Sequence, residues 1–283
     1  MKRAAVVIAV LGMCVCGWAQ DKPAGQTAPA GQAAAAAPQG KRPPQAKTQP
    51  EFDAYKAAIA LTDPAAVEKA ADDFAAKFPD SELRVVLYKL AMQKYQMANN
   101  ADKMETMARK ALTLDPDDPE ALVGVSQVLA ETTHDTDLDK DQKIDESKKD
   151  AERALVTVDT DVPTAGYPPE KIDQFKRYIK SEAYAILGTL ASNAKNWPDA
   201  EANLKKSIDV FPEQVDSVAV LRLAVALDMQ NKVPDALKYA NQAVDLTKDR
   251  PDSPAGKAAR AEQDRLTKLS SGTAPGQPAP QKN

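Results

Sequence analysis

Histidine is almost missing from this chain: His134 is the only one in 283 residues. One imidazole cannot assemble a His-rich metal site, and any Ser-His-Asp or Cys-His arrangement would have to pass through it. Cysteine is nearly as scarce. Cys14 and Cys16 both fall within the first nineteen residues, so the chain beyond Ala19 has no disulfide and no thiol nucleophile. Aromatic residues make up 5%, and positive charge is not in excess, with 37 Lys and Arg against 41 Asp and Glu. The net charge of −4 excludes the basic stripe that a binder of nucleic-acid backbone needs. What remains, 43% apolar and 28% charged with 21 prolines, is the mixture of a soluble helical protein with disordered ends.

The first nineteen residues read as an address. Met1-Lys2-Arg3 is cationic, Ala4 to Val15 is nearly unbroken apolar sequence, and Gly17-Trp18-Ala19 is a small-x-small site before Gln20. That order predicts a secretory signal cleaved near Ala19 and a periplasmic or secreted mature protein. The apolar stretch of about sixteen residues is short of the ~20 that cross a bilayer, and a retained anchor is the alternative. Lipidation fits less well, because Met13 and Val15, not small residues, precede Cys14 and Cys16. Residues 20–50, rich in Ala, Gly, Gln and Pro, predict a disordered linker, and residues 270–283 a disordered tail. Both ends are basic. With +2 in the signal, +3 in the linker and +1 in the tail, the net −4 leaves −10 on residues 51–270.

From Glu51 to Leu269 the apolar spacing is helical almost throughout, and Pro or Asp-Pro breaks recur between helices of 12 to 17 residues. The segment repeats itself. From Ser181, Tyr184, Leu187, Gly188 and Ala191 share one helix, Ala200, Leu204, Ser207 and Ile208 the next, and Pro212 closes the unit. From Ser217, the residues Val220, Leu223, Ala224, Leu227, Ala236, Ala240, Ala243 and Val244 stand at the same offsets, with Lys248 in place of the closing Pro. A unit from Val85 supplies Tyr88, Ala91, Tyr95, Ala108, Ala111, Leu112 and Pro116. Another, from Pro119, has Leu122, Val125, Ser126 and Leu129, and its second helix resumes at Ala151, Ala154 and Leu155 after about nine extra residues. Paired helices approach closely only where the crossing residues are small, so Gly188 is expected to face Ala200, and Ala224 to face Ala236. Met92 and Met104 stand where small residues belong, which predicts a splayed pair at Val85.

This order resembles the tetratricopeptide repeat over about 220 residues, most closely from Ser181 to Val244 and least before Val85. Phe78-Pro79-Asp80-Ser81 is similar to the joint between repeats of outer-membrane assembly lipoproteins and reads as the end of a half-degenerate first repeat. The resemblance implies an all-α, right-handed α-solenoid with units near 51–81, 85–118, 119–161 (insertion 130–146), 181–214 and 217–250. A capping helix would follow at 254–269. Tyr88, Tyr95, Ala111, Pro116, Tyr184, Leu187, Gly188, Ala200, Pro212, Leu223, Ala224, Ala236 and Ala243 would be its structural positions.

The resemblance also implies a non-enzymatic scaffold without cofactor that binds a protein or peptide in a concave groove lined by the first helix of each hairpin. The inward positions are Lys89, Gln93 and Gln96, then Val123 and Gln127, then Ala185, Thr189 and Asn193, then Leu221, Val225 and Asp228. Family members clamp a terminal carboxylate with repeated Lys, Arg and Asn; only Lys89 and Asn193 match, so side-chain amides bonding a peptide backbone over an apolar floor are expected instead. A membrane-tethered accessory subunit of an envelope assembly complex is the alternative function, and a calcium-responsive or small-ligand module a second.

Calcium enters through Asp135, Asp137 and Asp139, with Glu146 further along, spaced like the oxygen ligands of an EF-hand. Lys140 stands where the sharp turn calls for Gly and puts a cation among the ligands, so a solvated acidic lead-in to a helix is the reading, with no metal. His134 lacks a Gly-x-Ser-x-Gly turn or Gly-rich phosphate loop as companion, so no catalytic residue is assigned. Asp115, Asp117, Asp118 and Glu120 around Pro116 and Pro119 read as turn and helix-capping residues, and Trp197 as packing over a turn.

Overall fold

The computed structural model describes residues 41–271. The signal segment with Cys14 and Cys16, linker residues 20–40 and the end of the tail lie outside the described residues. Those described carry eleven α-helices and no strand: α1 (Gln49–Ile59), α2 (Pro64–Lys77), α3 (Leu83–Met97), α4 (Ala101–Leu114), α5 (Pro119–Thr132), α6 (Lys140–Thr160), α7 (Pro169–Asn193), α8 (Trp197–Val210), α9 (Ser217–Asp228), α10 (Val233–Leu246) and α11 (Pro254–Ser270). They form two compact units, residues 41–125 with 153–176 and residues 126–152 with 177–271, to both of which α5, α6 and α7 contribute. The all-α, hairpin-repeat class expected from the spacing is the one observed.

The helix ends follow from local chemistry. Thr48, Asp63, Asn100, Asn196, Asp216 and Ser253 each accept a hydrogen bond from a backbone N–H of the first turn that follows. These bonds satisfy donors that a helix start leaves unpaired. Three hairpins turn in the same way. Asn99, Lys195 and Asn231 take the left-handed conformation (φ 54, 58 and 59°). The next N–H reaches back five residues, from Asn100 to Tyr95, Asn196 to Ala191 and Lys232 to Leu227, at 2.9 to 3.0 Å. This is the Schellman closure of a helix C-terminus, placed so that the residue after it starts the next helix.

In the first unit α3 packs against α2 and α4, around buried Phe74, Leu87, Ala91, Met107 and Ala108. The splay expected from Met92 does not occur, and α3 and α4 pack closely. The Met92 thioether is taken up by Gly124 of α5, where a Cβ would lie 2.6 Å from Sδ. The large residue on one hairpin is matched by the missing side chain on the next.

In the second unit Ala200, Leu204, Ala219, Leu223, Ala224, Ala236 and Ala240 form one buried seam with Leu266 of α11. Gly188 sits against Leu204, not principally Ala200: an added Cβ would lie 2.6 Å from Leu204 Cγ and 3.2 Å from its backbone nitrogen. Two buried serine pairs recur in this unit. Ser126 Oγ donates to the Ser147 carbonyl (2.6 Å) and Ser147 Oγ to that of Ser126 (2.8 Å), while Ser181 Oγ donates to the Ser207 carbonyl (2.9 Å). α11 lies on α9 and α10 and closes the seam.

Three boundaries differ from the sequence reading. α7 begins at Pro169, upstream of Ser181, and the insertion narrows to a loop between Thr132 and Lys140 because α5 and α6 both run into it. Residues 41–48, read as linker, carry no helix or strand and are bonded to the first unit, and α1 starts at Gln49.

Candidate docking cleft

A cavity of about 570 Å³ opens in the first unit beside α3. Its walls combine Tyr55 and Ile59 of α1, Val85, Val86 and Leu90 of α3, and Pro163, Tyr167 and Phe175 after α6. Tyr55 and Phe175 are buried and, with Val85, Val86 and Leu90, give the cavity an apolar floor.

One end of the cavity is a carboxylate cluster that the chain builds from helix termini. Asp118 sits before α5 with one oxygen, Oδ1, capping the Ala121 N–H at 2.9 Å. Its other oxygen, Oδ2, meets Lys89 Nζ at 2.8 Å, and Glu120 Oε2 lies 3.2 Å from the same amine. Burial alone would lower the Lys89 pKa, but the two carboxylates outweigh it and hold the amine protonated well above its ordinary range. Gln93 Nε2 donates to Glu120 Oε1 at 2.5 Å. Asp115 ends α4, its N–H bonded to the Ala111 carbonyl, and it lines the cavity. Glu82 precedes α3 without capping it, leaving its carboxylate available.

Both carboxylates are taken by the segment before α1. Lys41 Nζ bonds both Asp115 oxygens (2.7 and 2.6 Å) and reaches Asp161 at 3.5 Å, while the Lys41 N–H donates to the Thr160 carbonyl at 3.2 Å. Arg42 pairs with Glu82, whose other oxygen accepts the Gln45 N–H. The Arg42 hydrogen bond, with that of the Gln45 amide and the nearby Lys47 charge, outweighs burial and holds the Glu82 carboxyl below its usual range. Lys47 Nζ donates to the Asp80 carbonyl at 2.7 Å. Glu51, buried in the first turn of α1, accepts from the Lys47 N–H at 2.7 Å and from the Ser81 hydroxyl. Thus the Pro79-Asp80-Ser81 turn anchors the far end of the segment. The Lys41 side chain is 43% exposed and that of Arg42 64%; exposed pairs of this kind contribute about 1 kcal/mol or less each.

Of the inward positions, Lys89 and Gln93 line this cavity, and Gln96 is half-buried one turn on. Val123 is buried in the same unit. The others belong to the second unit and are differently employed. Gln127, Ala185 and Thr189 are buried, and Thr189 Oγ1 accepts from Arg222 at 2.8 Å. Asp228 is buried with Oδ2 on Arg265 of α11 at 2.5 Å, so the capping helix claims it. Asn193 and Val225 are exposed and Leu221 half-buried. Among the repeat positions, Tyr88, Tyr95, Ala111, Gly188, Ala200, Leu223, Ala224, Ala236 and Ala243 are buried, Tyr184 and Leu187 half-buried, and the closing Pro116 and Pro212 exposed.

The acidic insertion carries its own counter-ions. Lys140 Nζ meets Asp135 at 2.6 Å, and Lys143 Nζ meets Asp139 at 2.9 Å and Asp137 at 3.4 Å. Glu146 also has a partner, and no group of three candidate ligands arranged for a metal occurs among the described residues. His134 is exposed, its backbone N–H donating to Asp137. Trp197 is half-buried against the second unit's seam.

No protein-family pattern matches the chain, and no curated protein matches it. Among solved structures it is similar to PilW, a widely conserved type IV pilus biogenesis factor, at 17% identity over 75% of this chain and 99% of that one, with a TM-score of 0.39. It is also similar to Acl4, the assembly chaperone of RpL4, at 12% identity over 78% of this chain and 99% of that one, with the same TM-score.

Proposed function

We propose that this chain is a non-enzymatic, exported scaffold of tetratricopeptide type, and that its docking surface for a protein or peptide is the cleft along α3. The observation that carries this reading is the join of an apolar floor to the fixed polar cluster of Lys89, Gln93, Asp118 and Glu120 in one cavity. Apolar surface supplies contact area, and oriented polar groups set register. A scaffold is favoured over an enzyme because the cleft's innermost carboxylates, Asp118 and Glu120, are both bonded to Lys89, and His134 lies on an exposed loop. Export rests on residues 1–19; no helix of the described residues is long and apolar enough to cross a membrane. Mass spectrometry of the exported chain tests it, with a start at Gln20 expected and a retained Met1 pointing to a tethered accessory subunit. The docking surface is tested by photo-crosslinking in cell-envelope extract, with a benzoyl-phenylalanine at position 93 or, as control, at 193. Adducts from 93 are expected. Adducts from 193 alone move the docking surface to the second unit.

A further inference from the structure

We propose that the acidic rim of the α3 cleft docks an extended cationic peptide with a basic pair followed by prolines, and that Lys41-Arg42-Pro43-Pro44 holds this site in cis. The proposal rests on the cleft being the docking surface and adds the chemistry of the occupant. Segment 41–48 lies along the rim as a bound peptide would. Its two cations are anchored on Asp115 and Glu82, one main-chain N–H is bonded to the Thr160 carbonyl, Pro43 and Pro44 are half-buried, and Pro44 lines the cavity. Prolines have no N–H to satisfy and fix an extended course, so a short segment docks at little entropic cost.

Charge points the same way. With Lys41 and Arg42 set aside, the cavity lining has six carboxylates, those of Asp80, Glu82, Asp115, Asp118, Glu120 and Asp161, against the two cations Arg84 and Lys89. An acidic or neutral occupant would leave that excess unanswered. The segment also leaves about 570 Å³ beneath it unfilled. A partner that places a side chain on the Tyr55, Leu90 and Phe175 floor makes contacts the cis segment lacks. Displacement exchanges the exposed Lys41 and Arg42 pairs and breaks the main-chain bonds of Lys41 to the Thr160 carbonyl and of Gln45 to Glu82.

A tethered segment competes at a high effective concentration, so its release should unmask the site. The probe is a fluorescein-labelled peptide of sequence Lys-Arg-Pro-Pro-Gln-Ala-Lys-Thr, followed by anisotropy on the full chain, with a second peptide in which Glu replaces each cation. The K41A/R42A variant should bind the basic peptide about tenfold or more tightly than the parent chain. Adding Asp115→Asn and Glu82→Gln should remove that gain, and added salt should weaken binding. Equal affinity of the parent and K41A/R42A overturns the proposal, as does equal binding of the Glu-substituted peptide. A lower thermal midpoint of K41A/R42A without gained binding also overturns it, because the segment is then structural. If neither peptide binds while position 93 still crosslinks, the occupant is wrong and the docking surface stands. If position 93 fails to crosslink as well, both fall.

Discussion

The α9–α10 hairpin and the α2–α3–α4 group share one turn geometry yet are held by different chemistry. Around α9 and α10 the contact is a seam of alanines and leucines with almost no exposure. Around α3, polar side chains tie the helices to α2. Tyr88 donates to Asp72 at 3.0 Å, Tyr95 to Glu68, Lys103 pairs with Glu68 at 2.8 Å and Lys110 with Asp72 at 2.6 Å. Small residues draw helices together until little space is left, and in the second unit the inward Thr189 and Asp228 are spent on Arg222 and Arg265. In the first unit the opposite face of α3 keeps bulky, charged and amide residues over a cavity. A repeat that closes on itself gives stability, and one that departs from the pattern leaves a surface for something else.

Breaking the closed seam should cost most. Leu204→Ala removes a fully buried side chain and is expected to lower unfolding free energy by about 2–5 kcal/mol in urea titrations. Gly188→Ala forces a methyl onto Leu204 and should cost about 1–3 kcal/mol; with Leu204→Ala beneath it, the loss should be smaller than the sum.

The polar ties should each matter less. Tyr88→Phe and Tyr95→Phe should each lose about 1 kcal/mol at neutral pH. Burial, then hydrogen bonding to Asp72 or Glu68, pushes both phenols up from 10.0 to about 12. A raised folded pKa means that this stabilisation is intact below pH 10.0 and is lost as pH rises through about 12. An ultraviolet titration with two late-ionising phenols, absent in the Phe variants, checks it. Glu201 gives the acid-side counterpart in the second unit. Burial would raise its pKa, but Lys205, Lys232 and Gln230, at 2.6, 2.6 and 2.8 Å, lower it from 4.5 to about 2. Its contribution is present above pH 4.5 and lost as pH falls to about 2, so a Glu201→Gln deficit of about 1 kcal/mol at neutral pH should vanish there. The smallest change is a gain. Lys195 holds φ 58° without the local hydrogen bonding that suits Asn, so Lys195→Asn, matching Asn99 and Asn231, should raise stability by about 0.5 kcal/mol in the same urea titration.

The helices and the closed seam were legible because spacing and small residues specify them directly. Gly188, Leu204, Leu223 and Ala236 are buried, as their offsets in the repeat imply. The cleft was not, for two physical reasons. Asp118 was read as a helix cap, which it is, but a carboxylate has a second oxygen, and that one holds Lys89. Lys41 and Arg42 sit in a stretch whose composition says linker, while their counter-charges lie 74 and 40 residues away. A hint was present: a basic approach to an acidic body. Thr189 and Asp228, expected to line a groove, are buried and bonded to arginines, one of them on a helix whose spacing showed only its apolar face.

The left-handed joints at Asn99, Lys195 and Asn231 dictate the exit direction of the chain, so a residue added there would swing the whole following helix out of register. The connection from α5 to α6 has no such residue, and it lies in the unit that carries the inserted residues. An engineered Gly-Ser graft between His134 and Asp135 should be carried silently, where the same graft after Asn99 should not.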